Sequence, residues 1–184
     1  MSEVPESPPP RAHLPDTSRT VYLAGPSGFF DAGRLWYRDV VLPAVAAAGL
    51  TAQDPWSGPS PIEDVLSGME YGPERRSALR QANLDQGRRN LGLIDESRAV
   101  LASLDGQDVD SGTALEMGYA FAKGLLVVGL RTDVRRCSDN EGSVVNLMIE
   151  TSIIDSSGIL TGSLSEAVDY LADHLDAMPT GLDS

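Results

Sequence analysis

The sequence predicts an α/β protein: a doubly wound sheet of five parallel strands, ordered 2-1-3-4-5, with helices on its faces. Three observations predict it. Short apolar runs of strand length recur at Thr20–Ala24, Leu50–Gln53, Ala99–Leu104, Leu125–Leu130 and Gly158–Leu160. Stretches with helical spacing separate them, and that alternation is the signature of parallel strands joined by crossover helices. No internal repeat divides the chain, and 184 residues are enough for one domain with a real core.

Each element has its own local reason. Residues 1–18 carry Pro5, Pro8, Pro9, Pro10 and Pro15 among polar side chains. Such a segment buries too little to offset its ordering entropy, so a disordered tail is expected there, with one domain over 19–178 and a short tail over 179–184. Thr20–Ala24 runs into Gly25-Pro26-Ser27-Gly28, a loop whose glycines let the backbone approach a ligand closely. A helix is expected from Asp31 to Ala48, striped by Leu35, Val41, Leu42, Val45 and Ala46 and stopped by Gly49. Pro43 inside it predicts a kink or a split. The short second strand leaves through Asp54-Pro55-Trp56. Residues 57–73 read as a loop with one turn near 62–66, and a loop this long in a compact domain is expected to be a mobile flap over the pocket.

Glu74–Glu96 then predicts a long helix carrying Leu79, Ala82, Leu91, Leu93 and Ile94, despite Gly87 and Gly92. The third strand, a helix bearing Glu116 and the fourth strand follow. After a polar loop over 132–143 and the segment Val144–Ile149 come the fifth strand at 158–160 and a closing helix over 163–176. Ser163-Leu164-Ser165-Glu166 is a capping box for that last helix. This order of elements makes the sheet flavodoxin-like, with its ligand crevice outside the carboxyl ends of the strands.

Composition narrows the partners. A net charge of −13 repels nucleic-acid backbones and anionic membranes, so neither is expected, and a small neutral substrate fits better. Cys137 is the single cysteine, which leaves no disulfide framework and no thiolate zinc site. His13 and His174 stand outside any motif and are read as surface residues. Neither a metal nor an organic cofactor is expected. No run reaches membrane-spanning length and the start of the chain lacks the layout of a signal peptide, so a cytoplasmic location is expected.

The chemistry concentrates in Asp110-Ser111-Gly112-Thr113-Ala114-Leu115-Glu116-Met117-Gly118-Tyr119-Ala120-Phe121. Thr113-Ala114-Leu115-Glu116 fits a capping box, in which Glu116 merely reaches back to a backbone N–H. Against that, Glu116 has apolar or small neighbours on every side, and a carboxylate on a packed helix needs a reason. Set in the first turns of the helix, it is expected to be held ionised by the helix dipole and to serve as a nucleophile toward an electrophilic sugar carbon. Tyr22, beside the third strand, suits either a hydrogen bond that orients Glu116 or ordinary strand packing. Phe29, Phe30 and Trp56 suit either stacking on a planar base or capping of the core.

Three segments carry a resemblance: Val21-Tyr22-Leu23-Ala24-Gly25-Pro26, the stretch from Asp110 to Ala120, and Asn146-Leu147-Met148. Together the chain over about 19–178 resembles the nucleoside 2-deoxyribosyltransferase family. The resemblance implies transfer of 2-deoxyribose between nucleobases by double displacement, through a covalent deoxyribosyl ester and with retention at C1′. Deoxyribonucleosides and free nucleobases are the implied substrates. It places Glu116 as the nucleophile, Tyr22 as the residue orienting it, and Asp110 on the sugar-hydroxyl side. Gly25 and Phe30 fall in the loop beside the substrate. Asn146 and Met148 match a pair that closes a neighbouring subunit's site, which implies a homo-oligomer. Asn90 falls on a base-contacting position that is Asp in some members; an amide cannot protonate a leaving base, and Asp54 or Gln53 are the alternatives.

Two other functions compete. An N-glycosidase of the same superfamily would release the base to water. Members that take 5′-monophosphates resemble a pattern with Ser where Asp110 stands, and a carboxylate there repels phosphate, so Asp110 favours a free nucleoside. A non-catalytic flavodoxin-like module that binds a nucleotide would share the strand pattern, since fold does not imply function. The joint presence of Tyr22, Asp110, Glu116 and Asn146 argues against it.

Overall fold

In the computed structural model, which describes residues 17–178, five short strands assemble one all-parallel sheet. They are β1 (Thr20–Ala24), β2 (Thr51–Gln53), β3 (Ala99–Ser103), β4 (Leu126–Leu130) and β5 (Leu160–Thr161), in the order β2-β1-β3-β4-β5. This is the predicted flavodoxin-like topology. Of the tails expected over 1–18 and 179–184, residues 1–16 and 179–184 lie outside the described residues.

Side chains alternate across a strand, so each strand feeds two cores. Val21, Leu23, Leu101, Val128 and Leu130 face one layer, while Tyr22, Ala24, Val100, Ala102 and Val127 face the other. The first layer is built by α1 (Asp31–Trp36), α2 (Leu42–Ala47) and α7 (Leu164–Ala177), through Val45, Val168, Leu171 and Leu175. The second is built by α4 (Pro73–Asp95), α5 (Ser111–Ala122) and α6 (Leu147–Asp155), through Ile94, Met117, Ala120 and Ile153. Every residue of β1 and β4 is buried, as central strands covered on both faces must be. Each fully buried aliphatic side chain contributes about 1.5–3 kcal/mol.

Five expectations are refined or corrected. The helix expected over 31–48 is divided by a π-helical turn, Tyr37–Val41, in which the Leu42 N–H bonds five residues back to the Tyr37 carbonyl. Pro43 has no N–H for the Asp39 carbonyl and its ring crowds that group, so the helix widens one turn before it instead of breaking. The flap over 57–73 is not a loop with one turn: it holds α3 (Pro61–Gly68), packed beside α4. Ser60 caps α3 by accepting from the Glu63 N–H at 3.2 Å, and Pro61 occupies its first turn, where a missing N–H costs nothing. The segment at 144–149 leads into α6, whose cap is Asn146, and β5 begins two residues and ends one residue later than expected. In α7 the capping box is half formed. Ser163 accepts from the Glu166 N–H, but the Glu166 carboxylate bonds the Thr161 hydroxyl instead of reaching back.

Candidate active site

The chain winds one way from β1 to β2 and the other way through β3 to β5. A crevice therefore opens between the carboxyl ends of β1 and β3. Gly25 leaves β1 at its rim with φ of 154°, a conformation that L side chains rarely adopt; a Cβ there would lie 3.0 Å from that of Ser103. Gly28 lies so close to the Trp56 indole that an added Cβ would overlap it, and Phe29 meets Trp56 edge-on at 4.8 Å. Phe30 packs its ring over Gly33 and keeps half of its surface exposed. Phe29 and Trp56 thus pack on each other, while Phe30 packs on its own helix.

Of the two readings of Glu116, the capping box is the one the structure does not form. Asp110, not Thr113, caps α5: its Oδ2 accepts from the Thr113 N–H at 3.0 Å and the Thr113 hydroxyl at 3.2 Å. Thr113 is buried in that role, so the capping box that would have explained Glu116 away does not form. Glu116 is the sixth residue of α5, beyond the turn in which the helix dipole acts. Its Oε1 accepts from the Tyr22 hydroxyl at 2.6 Å and from Asn90 Nδ2 at 3.3 Å. Tyr22 is fully buried in β1 and reaches Glu116 because its side chain points into the layer that α4 and α5 cover.

Burial pushes the Glu116 carboxyl above its ordinary range; the hydrogen bonds from Tyr22 and Asn90 pull it back, and Asp110 adds a smaller upward push. The expectation of a carboxylate held ionised by the dipole is therefore not met: desolvation outweighs the two side-chain donors that oppose it. Burial, and then the Glu116 charge, push the Tyr22 phenol far up, so it stays a donor at any ordinary pH.

The other expected residues divide. Asp54 is engaged elsewhere: its Oδ1 accepts from the Tyr37 hydroxyl and the Trp56 N–H, each at 2.8 Å, closing the turn after β2. Gln53 turns away to Glu96. Asn146 accepts from the Met148 N–H at 2.9 Å and donates toward Asp139 at 3.4 Å, and Met148 is 67% exposed. Within one subunit, then, the pair bonds its own loop and not the Tyr22–Glu116–Asn90 cluster.

Two residues escaped the sequence reading. Gln86 Nε2 donates to Asn90 Oδ1 at 2.8 Å. Arg89 donates to the Pro55 and Ser57 carbonyls at 3.3 and 2.7 Å, tying α4 to the segment after β2, and its charge acts on Tyr22. The available signal was spacing: Ala82, Gln86, Asn90 and Leu93 fall on one stripe of α4, and two amides on the face that meets the sheet call for partners. Among the described residues no group of three His, Cys, Asp or Glu side chains is arranged to hold a metal, and no helix is long and apolar enough to cross a membrane.

Comparison with solved structures gives the same fold. A 2-desoxiribosyltransferase from Leishmania mexicana superposes with a TM-score of 0.58 at 22% identity, covering 85% of this chain and 98% of that one. A conserved protein from Enterococcus faecalis V583 gives 0.57 at 20% identity, with 84% and 98% covered. The 2-deoxyribosyltransferase from Bacillus psychrosaccharolyticus gives 0.54 at 23%, with 85% and 95% covered. No curated protein matches the chain in sequence. The model of one family does match, over residues 21–148, a span that runs from Tyr22 through Glu116 to Met148. On that match, the chain belongs to the nucleoside 2-deoxyribosyltransferase family.

Proposed function

We propose that this protein moves 2-deoxyribose from one nucleobase to another through a covalent ester on Glu116. The observation that carries the reading is a partly buried carboxylate at the strand crevice with both of its donors, Tyr22 and Asn90, on one oxygen. With Oε1 held, Oε2 is the oxygen free to attack. As the C1′–N bond breaks, its electron pair leaves with the base, and positive charge grows on C1′ and the ring oxygen. Glu116 neutralises that charge and closes a C1′–O bond on the opposite face. A second base then attacks C1′ from the vacated side, the ester bond breaks, and the carboxylate is regenerated with configuration retained.

Asp110 serves the sugar-hydroxyl side of the site while its Oδ2 caps α5, and its charge favours free nucleosides over 5′-monophosphates. Gly25 and Phe30 line the approach to the substrate. Asn90 holds the carboxylate and cannot itself protonate the departing base; of the two alternatives, Asp54 and Gln53, only Asp54 carries a carboxyl, and the Tyr37 hydroxyl fixes it. The segment with α3 and a neighbouring copy exclude water, so that transfer outpaces hydrolysis. Asn146 and Met148 of that copy complete the site, and the exposure of Leu115, Leu147, Met148 and Ile154 on the adjacent helices α5 and α6 supports such an association.

Incubation with deoxyinosine, with and without adenine, tests the reading. Deoxyadenosine formed only when adenine is present, and lost in Glu116→Ala, is the expected result. Hypoxanthine released equally in both tubes, with no deoxyadenosine, would make the protein an N-glycosidase instead.

A further inference from the structure

Two amides one helical turn apart on α4 join the segment after β2 to the carboxylate on α5. Gln86 Nε2 reaches the Pro55 carbonyl at 3.5 Å and Asn90 Oδ1 at 2.8 Å; Asn90 Nδ2 in turn meets Glu116 Oε1 at 3.3 Å. Both ends of this chain are acceptors only, a peptide carbonyl at one and a carboxylate at the other. That fixes its polarity. Turning Asn90 over would set its oxygen against Glu116 and present its NH2 to Gln86, which would then have to turn as well. The Gln86 oxygen would next face the Pro55 carbonyl, leaving oxygen against oxygen at both ends. One arrangement satisfies every group, and it has the Asn90 NH2 on the carboxylate.

We propose that Gln86 is a positioning residue for the nucleophile: by engaging the Asn90 carbonyl, it commits the Asn90 NH2 to Glu116 and favours the ionised, attacking form of that carboxylate. The proposal rests on the reading of Glu116 as nucleophile, and it adds a residue outside the motifs that define the site. Its consequence is a link between the segment after β2 and the reactivity of Glu116, because Pro55 anchors the far end of the chain together with Arg89. The ionisable groups facing Glu116 are Tyr22 from β1 and Asp110 at the head of α5; Arg89 of α4 and Asp54 after β2 act on it through Tyr22.

Gln86→Met keeps the length of the side chain and removes its polarity. Gln86→Glu replaces the donor by an acceptor, which draws the Asn90 NH2 away and turns the Asn90 oxygen onto Glu116. The full-length protein carrying each change is read in two ways: the pH profile of transfer, and a ¹³C NMR titration of the Glu116 carboxyl without substrate. In Gln86→Met both the acid limb of kcat/KM and the Glu116 titration are expected to move up by roughly 0.5–1 pH unit, and in Gln86→Glu by more. KM for the nucleoside stays within about twofold of the wild type's, because the loss falls on the attacking group and not on ground-state binding. In an Asn90→Ala background, Gln86→Met adds no further shift, as residues acting in series are not additive. An unmoved Glu116 titration in both Gln86 variants, with the proteins folded, would overturn the proposal. So would an equal shift with and without Asn90. If the wild-type protein transfers no sugar, the transferase reading falls, while the titration still decides the role of Gln86.

Discussion

The Tyr22 hydroxyl, 2.6 Å from Glu116, opposes the upward push that burial puts on that carboxyl. A hydrogen bond to a charged group is worth about 1.5–3 kcal/mol, so Tyr22→Phe should lower kcat/KM roughly 10- to 100-fold. The acid limb of its pH profile should also move upward, because the lost bond had pulled the Glu116 titration down; a full pH–rate series checks both. The same burial has a cost in stability. With its folded pKa raised, Glu116 contributes most below the ordinary carboxylate range, and that contribution is lost as pH rises through the raised value. Glu116→Gln should therefore melt higher than the wild type at pH 7, with the gap narrowing toward pH 4 in thermal scans at both values. Glu116 and Tyr22 were legible in the sequence because both lie in dense motifs on predicted elements. Gln86 was not, because its role depends on which face of α4 meets the sheet and on a carbonyl 31 residues away.

At the scale of an element, α5 depends on its first residues. Asp110 both ends the cap and borders the site, and two substitutions separate these jobs. Asp110→Asn retains a side-chain oxygen for the Thr113 N–H and should keep nearly all stability while losing nucleoside affinity. Asp110→Ala should lose about 1 kcal/mol of stability as well, the usual consequence of removing a cap. Denaturant unfolding alongside KM measurements distinguishes them. The loop around Gly28 offers a second test, because any Cβ there collides with the Trp56 ring. Gly28→Ala should cost about 1–3 kcal/mol through displacement of Trp56, again measured by unfolding. The strands and long helices followed from apolar period and capping residues. The helix α3 was hidden because Gly58, Pro59, Ser60, Pro61, Ser67 and Gly68 surround its short Ile62–Val65–Leu66 stripe, so the composition reads as loop. The π turn before Pro43 was hidden for another reason: proline announces a disturbance, and packing of Tyr37 and Val41 decides its form.

At the scale of the molecule, the topology brings Tyr22, Asn90 and Glu116 together from three elements, while Asn146 and Met148 stay with their own loop. That separation makes the proposed oligomer testable. Glu116→Ala and Asn146→Ala proteins, each inactive alone, should regain activity when co-assembled, since some hybrid sites then hold one intact copy of each residue. The sequence made the sheet order legible through its alternation of elements, but no periodicity within one chain specifies what a second copy adds. The proposed function depends on the ester at Glu116. We would mix the protein with deoxyinosine in the absence of any acceptor base, quench in acid within the first turnover, and measure intact and peptide masses. The account predicts a burst of hypoxanthine equal to the sites present and one deoxyribosyl group on the peptide containing Glu116. Hypoxanthine released without a burst, or a label on any other peptide, would contradict it.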